Sequence, residues 1–144
     1  MILLDANLLL YAYDQSSKHN ARAKAWLQAV VNGPEPVLLP WVTLLAFLRI
    51  STNPRALATP LLMHEAAALA QGLLEQPTIT LIGPGERHWE ILSRLCDEAQ
   101  VRGPLVTDAH LAALAIEHGA VLCSADQDFA RFQSLRWKNP LDAT

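Results

Sequence analysis

Short apolar segments that end near an acidic residue constrain the fold of this chain more than any other feature. Residues 1–4 are almost continuously apolar and are followed by Asp5, and residues 120–124 form a second such segment with Asp126 just beyond it. Unbroken apolar runs of this length are typical of strands that are buried on both faces of a parallel sheet. Two further segments are predicted to be strands: residues 37–39 and 78–82.

Segments with a helical spacing of apolar residues separate these predicted strands. On one of them, residues 86–101, Trp89, Leu92 and Cys96 share one face, which we expect to pack on the core. The alternation of strands and helices predicts a single α/β domain over residues 1–144, with a mainly parallel central sheet flanked by helices. The predicted helices are residues 21–31, 41–51, 65–75, 86–101 and 107–118, with a short helix over 128–132.

The composition excludes several classes of protein. With 51% hydrophobic residues and a net charge of -3 over 144 residues, the chain is too apolar for intrinsic disorder and has no general basic field for nucleic acid. Two cysteines are too few for a disulfide framework, so we expect a reducing compartment, the cytoplasm. We expect no signal peptide and no membrane span, because the longest uncharged apolar stretch, residues 36–48, is too short and contains Pro40.

Acidic residues accumulate where the predicted strands end. Asp5 closes the first strand, and Asp126 and Asp128 follow the strand over residues 120–124. Asp108 lies near the start of a predicted helix. The carboxyl ends of parallel strands meet at one edge of a sheet, where ligand sites lie. We therefore expect these carboxylates to converge if the two strands are neighbours, although each one alone is also typical of a turn or a helix start.

Converging carboxylates repel one another unless a cation lies between them. Oxygen ligands of this kind suit Mg²⁺ or Mn²⁺. Such an ion can orient a phosphate group and lower the pKa of a water molecule, which is the chemistry of metal-dependent hydrolysis. The histidines show no metal-ligand spacing, and we interpret His110 as a structural residue.

Four motifs in this sequence resemble those of the PIN-domain ribonucleases, and most closely the VapC toxins of bacterial toxin–antitoxin pairs of the mycobacterial type. They occur in the order of that family and span nearly the whole chain. The third and fourth motifs together are the most specific. The motifs are residues 2–7 (ILLDAN), 47–49 with 52–55 (FLR and TNPR), 106–115 (VTDAHLAALA) and 124–129 (SADQDF).

The resemblance implies the toxin of a type II toxin–antitoxin system, a metal-dependent endoribonuclease that hydrolyses RNA. It also implies a cognate VapB-type antitoxin and a homodimer. Asn7 and Ser124 match polar residues that orient the site carboxylates. The residues that match metal-site and catalytic acids are Asp5, Asp108 and Asp126, with Asp128 as a more variable fourth acid.

One position departs from the family pattern. Members usually carry a Glu immediately before the Phe-Leu-Arg motif, and here that residue is Ala46. A Glu there would lie one helical turn from Arg49 and within reach of the predicted acids. We expect weaker metal affinity and reduced or lost ribonuclease activity. Arg49 is a candidate phosphate-binding residue, since guanidinium matches phosphate geometry, or else a partner in an interhelical salt bridge.

Three functions are compatible with these residues. The first is the toxin ribonuclease, and the second is a catalytically weak PIN protein whose main activity is to bind an antitoxin. The third, a haloacid-dehalogenase-like phosphotransferase with Asp5 as its nucleophile, is disfavoured because the acid expected two residues later is Asn7. Several basic residues are candidates for a local RNA track, although each alone is more typical of solvated surface: Arg22, Lys24, Arg55, Arg131 and Arg136.

Overall fold

Five parallel strands form the central sheet in a computed structural model of the chain, which describes residues 1–142. The strands are β1 Ile2–Leu4, β2 Val37–Pro40, β3 Ile79–Ile82, β4 Val121–Cys123 and β5 Trp137–Lys138. They lie in the order β3-β2-β1-β4-β5, and every pairing is parallel. The predicted α/β fold with a mainly parallel sheet is confirmed.

Helices cover both faces of this sheet. The helix α6 ends at Gly119, whose φ of 69° is the left-handed conformation that glycine adopts most easily at a helix end. Within residues 1–142, no helix combines the length and the apolar character needed to cross a membrane. The α-helices are α1 Ala6–Tyr13, α2 Asn20–Val31, α3 Trp41–Ser51, α4 Met63–Leu74, α5 His88–Glu98 and α6 Leu105–His118, with a 3₁₀ helix over Gln127–Arg131.

Side chains of the strands alternate between two hydrophobic cores, one on each face of the sheet. In β1, Ile2 and Leu4 belong to the core built with α1, α2, α3 and α4, whereas Leu3 belongs to the core built with α5 and α6. All three side chains are buried. Burial on both faces explains why the first segment of the chain is continuously apolar rather than alternating.

The order of the strands changes direction between β1 and β4. The chain builds outward from β1 through β2 to β3, and then crosses to the other side of β1 to add β4 and β5. The register pairs Ile2 with Val121 and Leu4 with Cys123, so that β1 and β4 end side by side. Open α/β sheets bind ligands in the crevice at such a point. The residues just after β1 and β4 are therefore placed to form a site.

The sequence patterns miss two elements, α1 and β5. The helix α1 begins directly after β1, and Asp5 is its N-cap, because its carboxylate accepts a hydrogen bond from the N–H of Ala6 at 2.7 Å. Asp is a preferred N-cap residue, so a signal for α1 is present in the sequence. The strand β5 contains only two residues, which is too short for a periodic pattern.

The predicted buried face of α5 is wrong at one residue. The helix buries Ile91 and Leu95, whereas Trp89 is 75% exposed. Leu92 and Cys96 lie at the border and pack only partly against the core. The buried face is therefore rotated along the helix relative to the prediction.

Polar contacts explain which face of α5 turns inward. His88, in the first turn of α5, is buried, and its Nε2 lies 2.8 Å from Nδ1 of His110 on α6. Glu117 of α6 accepts hydrogen bonds from the N–H groups of Gly85 and Arg87, just before α5 begins. These contacts lie on the face of α5 that also buries Ile91 and Leu95, and they agree with the interpretation of His110 as a structural residue.

A buried hydrogen bond attaches α3 to the end of β1. The hydroxyl of Thr43 donates to the carbonyl oxygen of Leu4 at 2.7 Å, and Thr43 is buried. The first turn of α3 is thereby held beside Asp5. Position 46 follows one turn later on the same side of the helix.

Replacing Thr43 with valine is expected to lower the free energy of unfolding by about 1–2 kcal/mol, because the change removes a buried hydrogen bond at nearly constant volume. Urea unfolding measures the effect. The matched control is Thr52→Val, since the Thr52 hydroxyl donates to the Leu48 carbonyl at 2.7 Å in a partly exposed place. Equal losses in the two variants would contradict a special role for the Thr43 bond.

Candidate metal centre

The ends of β1 and β4 are joined through the hydroxyl of Ser124. This hydroxyl donates to Oδ2 of Asp5 at 2.7 Å. It accepts from Nδ2 of Asn7 at 3.1 Å and from the backbone N–H of Asp126 at 3.0 Å. Ser124 is fully buried, and its one donor and two acceptor positions are all used. The hydroxyl therefore holds Asp5 and the start of the following acidic turn in one arrangement.

Asn7 connects the same two segments a second time. Its Nδ2 also lies 3.4 Å from Oδ2 of Asp5, and its Oδ1 accepts the N–H of Ala125 at 3.3 Å. The other carboxylate oxygen of Asp5 accepts the N–H of Ala6. Both oxygens of Asp5 are therefore engaged, and both residues predicted to orient the carboxylates, Asn7 and Ser124, contact Asp5.

Three carboxylates lie together beside this junction and are called the acidic cluster: Asp108, Asp126 and Asp128. Each offers one oxygen, and these oxygens lie within 4.8 Å of one another. Asp108 is in the first turn of α6. Asp126 caps the 3₁₀ helix, because its carboxylate accepts the N–H of Asp128 at 2.8 Å.

The acidic cluster overlaps with the predicted set of metal ligands without being identical to it. The sequence predicts Asp5, Asp108 and Asp126 as the ligands, with Asp128 as a fourth acid. The structure groups Asp128 with Asp108 and Asp126. Asp5 is not in this group, and its oxygens accept hydrogen bonds from Ser124 and from the backbone. The pairing of β1 with β4 brings Asp5 close to the segment that holds Asp126 and Asp128, although the two segments are far apart in sequence.

Burial and mutual repulsion raise the pKa of two of these acids. The pKa of Asp108 rises from 3.8 to about 6, first because burial removes water from its carboxylate. The negative charges of Asp126, Asp5 and Asp128 raise it further, and the charge of Arg131 acts in the opposite direction. Burial also raises the pKa of Asp5, although hydrogen bonds to its carboxylate oppose that shift.

The acidic cluster fits a hard divalent cation. All three donors are carboxylate oxygens, which Mg²⁺ and Mn²⁺ prefer. Asp128 is exposed and the other two are half-buried, so water can complete a coordination shell, as Mg²⁺ usually requires. A positive charge at this point would also relieve the repulsion that raises the pKa of Asp108.

Position 46 adds no carboxylate to this site. Ala46 is half-buried on α3, one turn after Thr43, whose hydroxyl contacts the end of β1. Arg49 lies in the last turn of α3 and is exposed. Its guanidinium forms no salt bridge with any residue in the range 1–142, so the interhelical ion pair considered from the sequence is not formed there.

The candidate RNA-track residues are distributed over different parts of the surface. Arg131 borders the acidic cluster, with its guanidinium 3.6 Å from Oδ1 of Asp128. Arg136 precedes β5 and donates to the carbonyl of Gly119 at 2.9 Å. This contact lies at the amino ends of the parallel strands, whereas the acidic cluster lies at their carboxyl ends. These two residues therefore do not share one track at the site. The other three are exposed: Arg22, Lys24 and Arg55.

Comparison with known proteins identifies the family. The PIN domain family matches residues 2–135, and the chain belongs to it. Ribonuclease VapC37 of Mycobacterium tuberculosis is 40% identical over 140 residues, which are 97% of each chain. Ribonuclease VapC33 of the same species is 43% identical over 141 residues, covering 98% of this chain and 99% of the relative. The resemblance drawn from the motifs is confirmed.

A solved structure with low sequence identity shares the fold. It is a toxin-antitoxin complex from Klebsiella pneumoniae, in which one chain matches with a TM-score of 0.69 at 20% identity. The match covers 97% of this chain and 98% of that one.

The raised pKa of Asp108 predicts how the stability of the metal-free protein depends on pH. The folded state holds the proton on Asp108 up to about pH 6, whereas the unfolded chain releases it near 3.8. Stability contributed by this group is therefore present below the lower value and lost as the pH rises through this window. We expect the Asp108→Asn variant to lose less stability than the wild type between these pH values, measured as melting temperature in the presence of a chelator.

The exposed acid Asp97 provides the control for this comparison. The Asp97→Asn variant should follow the wild-type pH profile. The prediction is wrong if Asp108→Asn also follows that profile, and it is supported further if Mn²⁺ restores the stability of the wild type at the upper end of the window.

Proposed function

We propose that this PIN domain protein is a metal-dependent endoribonuclease that hydrolyses RNA phosphodiester bonds, and that it acts as the toxin of a type II toxin–antitoxin pair. The acidic cluster at the carboxyl edge of β1 and β4 is the observation that carries the proposal. Two relatives that cover nearly the whole chain are named ribonucleases. The same likeness disfavours a phosphotransferase with Asp5 as its nucleophile.

In this proposal Mg²⁺ or Mn²⁺ is held by Asp5, Asp108 and Asp126, with Asp128 as the fourth acid. A bound ion supplies positive charge that orients a phosphate and lowers the pKa of a water molecule. Asp108 and Asp126 lie with Asp128 where an ion can contact all three. Asp5 is close enough for its charge to act on Asp108, and its Oδ1, which accepts the N–H of Ala6, keeps a second acceptor position for the ion.

The remaining proposed site residues act by orientation and by binding the substrate. Asn7 and Ser124 fix the carboxylate of Asp5, and Ser124 also receives the N–H of Asp126. The four acids therefore need little rearrangement before they bind an ion. Arg49, exposed on α3, is a candidate contact for an RNA phosphate.

The proposed protein partner is a VapB-type antitoxin. A fold neighbour comes from a solved toxin-antitoxin complex. In this chain, a mostly apolar cavity of about 480 Å³ lies between α1, α3 and the segment that follows α3, with Leu10, Tyr13 and Phe47 among its walls. Ser51 is also among the residues around this cavity. An apolar side chain of the antitoxin would fit such a cavity.

A homodimer is proposed from a group of exposed apolar side chains. Trp41 and Leu45 lie one turn apart on α3 and are more than half exposed. Trp41 approaches Gly83, which begins the loop leading to α5, and Trp89 on α5 is exposed as well. A contiguous exposed apolar patch is typical of a protein interface, and we propose the exposed face of α3 with Trp41 and Leu45 as the dimer contact. For the location of the protein, we propose the cytoplasm, where its RNA substrate is found.

A second candidate function follows from Ala46. Without the carboxylate that family members usually carry there, the site has one ligand fewer, and the chain would serve mainly as an antitoxin-binding protein. The two candidates differ in one measurable property, which is the rate of RNA cleavage with the divalent ion present.

The ribonuclease proposal predicts that purified protein cleaves structured RNA in the presence of Mg²⁺ or Mn²⁺. The variant Asp108→Ala should cleave about 100-fold more slowly or worse, because even partners behind the metal ligands contribute 10–100-fold in such sites. Gel electrophoresis of a labelled ribosomal RNA fragment measures the rate. The control Asp97→Ala should cleave like the wild type, and cleavage that persists unchanged in Asp108→Ala contradicts the proposal.

The variant Ala46→Glu separates the two candidate functions. If the chain is a disabled nuclease, adding a carboxylate one turn from Thr43 should raise the cleavage rate and tighten Mn²⁺ binding, because a further oxygen ligand joins the site. A control substitution with the same shape and no charge is Ala46→Gln, which should do neither. An unchanged rate in Ala46→Glu would mean that this position is dispensable.

A further inference from the structure

Arg131 is the basic residue that the structure places against the acidic cluster. Its Nη2 lies 3.6 Å from Oδ1 of Asp128, and its Nε donates to the backbone carbonyl of the same residue at 3.1 Å. Within residues 1–142, this is the only salt bridge made by a member of the cluster. Its charge also reaches Asp108, whose pKa it lowers.

The ion pair between Arg131 and Asp128 is loose. The distance of 3.6 Å is too long for a hydrogen bond between the guanidinium and the carboxylate. Guanidinium carries five N–H donors, and in the described part of the chain only Nε makes a hydrogen bond. The side chains of Asp128 and Arg131 are 52% and 35% exposed, so the terminal donors of Arg131 face solvent beside the cluster.

The backbone that carries Arg131 is fixed even though its guanidinium is not. Phe129 and Phe132, on either side of it, are both buried in the core with α5 and α6. The side chain of Arg131 can therefore change its conformation while its Cα stays beside the cluster. A fixed backbone position with free N–H donors is typical of a residue that binds a ligand rather than of one that stabilises the fold.

We propose that Arg131 binds an RNA phosphate beside the metal site. In the metal-free protein its guanidinium pairs with Asp128, and a divalent cation that binds Asp128 releases the guanidinium. This inference rests on the proposed function. The cation and Arg131 compete for the same carboxylate, so binding of the cation weakens the hold on the guanidinium. The released guanidinium presents its planar fork to phosphate oxygens, which it matches in a bidentate geometry.

The proposal predicts that removal of the charge of Arg131 strengthens Mn²⁺ binding and weakens RNA binding. In Arg131→Gln, Mn²⁺ should bind about two- to fivefold more tightly, because a competing exposed ion pair worth a few tenths to 1 kcal/mol is gone. Free Mn²⁺ measured by electron paramagnetic resonance, without RNA, gives this affinity. A purely structural role for Arg131 in placing Asp128 predicts the reverse, weaker Mn²⁺ binding.

RNA binding tests the other half of the proposal. The probe is a fluorescein-labelled, mixed-sequence single-stranded RNA, followed by anisotropy with Ca²⁺ in place of Mg²⁺ so that binding is measured apart from hydrolysis. Arg131→Gln should bind about tenfold more weakly, as expected for one charged hydrogen-bonded contact. The slope of log affinity against log salt concentration should fall by about 0.7, the value for one lost phosphate contact on a single strand.

Two further variants complete the experiment. Arg131→Lys keeps the charge, so it should retain the salt slope and lose only part of the affinity, which also covers the case in which Arg131→Gln folds poorly. Arg136→Gln removes the same charge at the opposite edge of the sheet and should bind Mn²⁺ and RNA like the wild type. Equal losses of RNA affinity in Arg136→Gln and Arg131→Gln would overturn the proposal.

The outcomes separate this inference from the function on which it rests. If the wild type does not bind the RNA with the cation present, the ribonuclease proposal fails and the role of Arg131 fails with it. If the wild type binds the RNA but Arg131→Gln binds it with the same affinity and salt slope, only the role of Arg131 is overturned.

Discussion

Repulsion among carboxylates at one edge of the sheet is the constraint on which the rest of this structure depends. Burial raises the pKa of Asp108 to about 6, and the nearby negative charges of Asp126, Asp5 and Asp128 add to this shift. Such an arrangement is unfavourable in a metal-free protein. It persists because buried strands, a helix start and a shared serine hydroxyl hold the acids in place more firmly than their charges drive them apart.

The scaffold that does this is built from elements with little freedom. The strands β1 and β4 are buried and paired in register, so Asp5 and Ser124 emerge side by side. The hydroxyl of Ser124 donates a hydrogen bond to Asp5 and accepts one from the backbone N–H of Asp126. The first turn of helix α6 adds Asp108 to the same group of acids. Strain of this kind is common where a protein prepares a site for a charged ligand.

The sequence is sufficient to predict the α/β class and four of the strands. Three of these, β1, β2 and β4, are short apolar segments that are mostly buried, and β3 is rich in β-branched residues. It also placed Asp5 and Asp126 at strand ends, from which their proximity follows if β1 and β4 are neighbours. That adjacency could not be read from local patterns, since it depends on how distant segments cross over. Recognition of the family motifs supplied it indirectly.

Other features lay outside the reach of sequence patterns for physical reasons. The inward face of α5 includes the contact between His88 and His110, which come from different helices, and the prediction that Trp89 is buried is wrong. The hydrogen bonds that occupy both oxygens of Asp5 arise from tertiary packing. The position of Arg131 against Asp128 depends on the 3₁₀ turn, whose exact geometry no periodicity encodes.

The most direct test of a shared divalent ion is a crystal of the protein grown with Mn²⁺ and measured for its anomalous scattering. The account predicts one strong peak within coordination distance of carboxylate oxygens from both Asp108 and Asp126. A peak bound to neither of them, or no peak at this edge of the sheet at a saturating concentration of Mn²⁺, would contradict it.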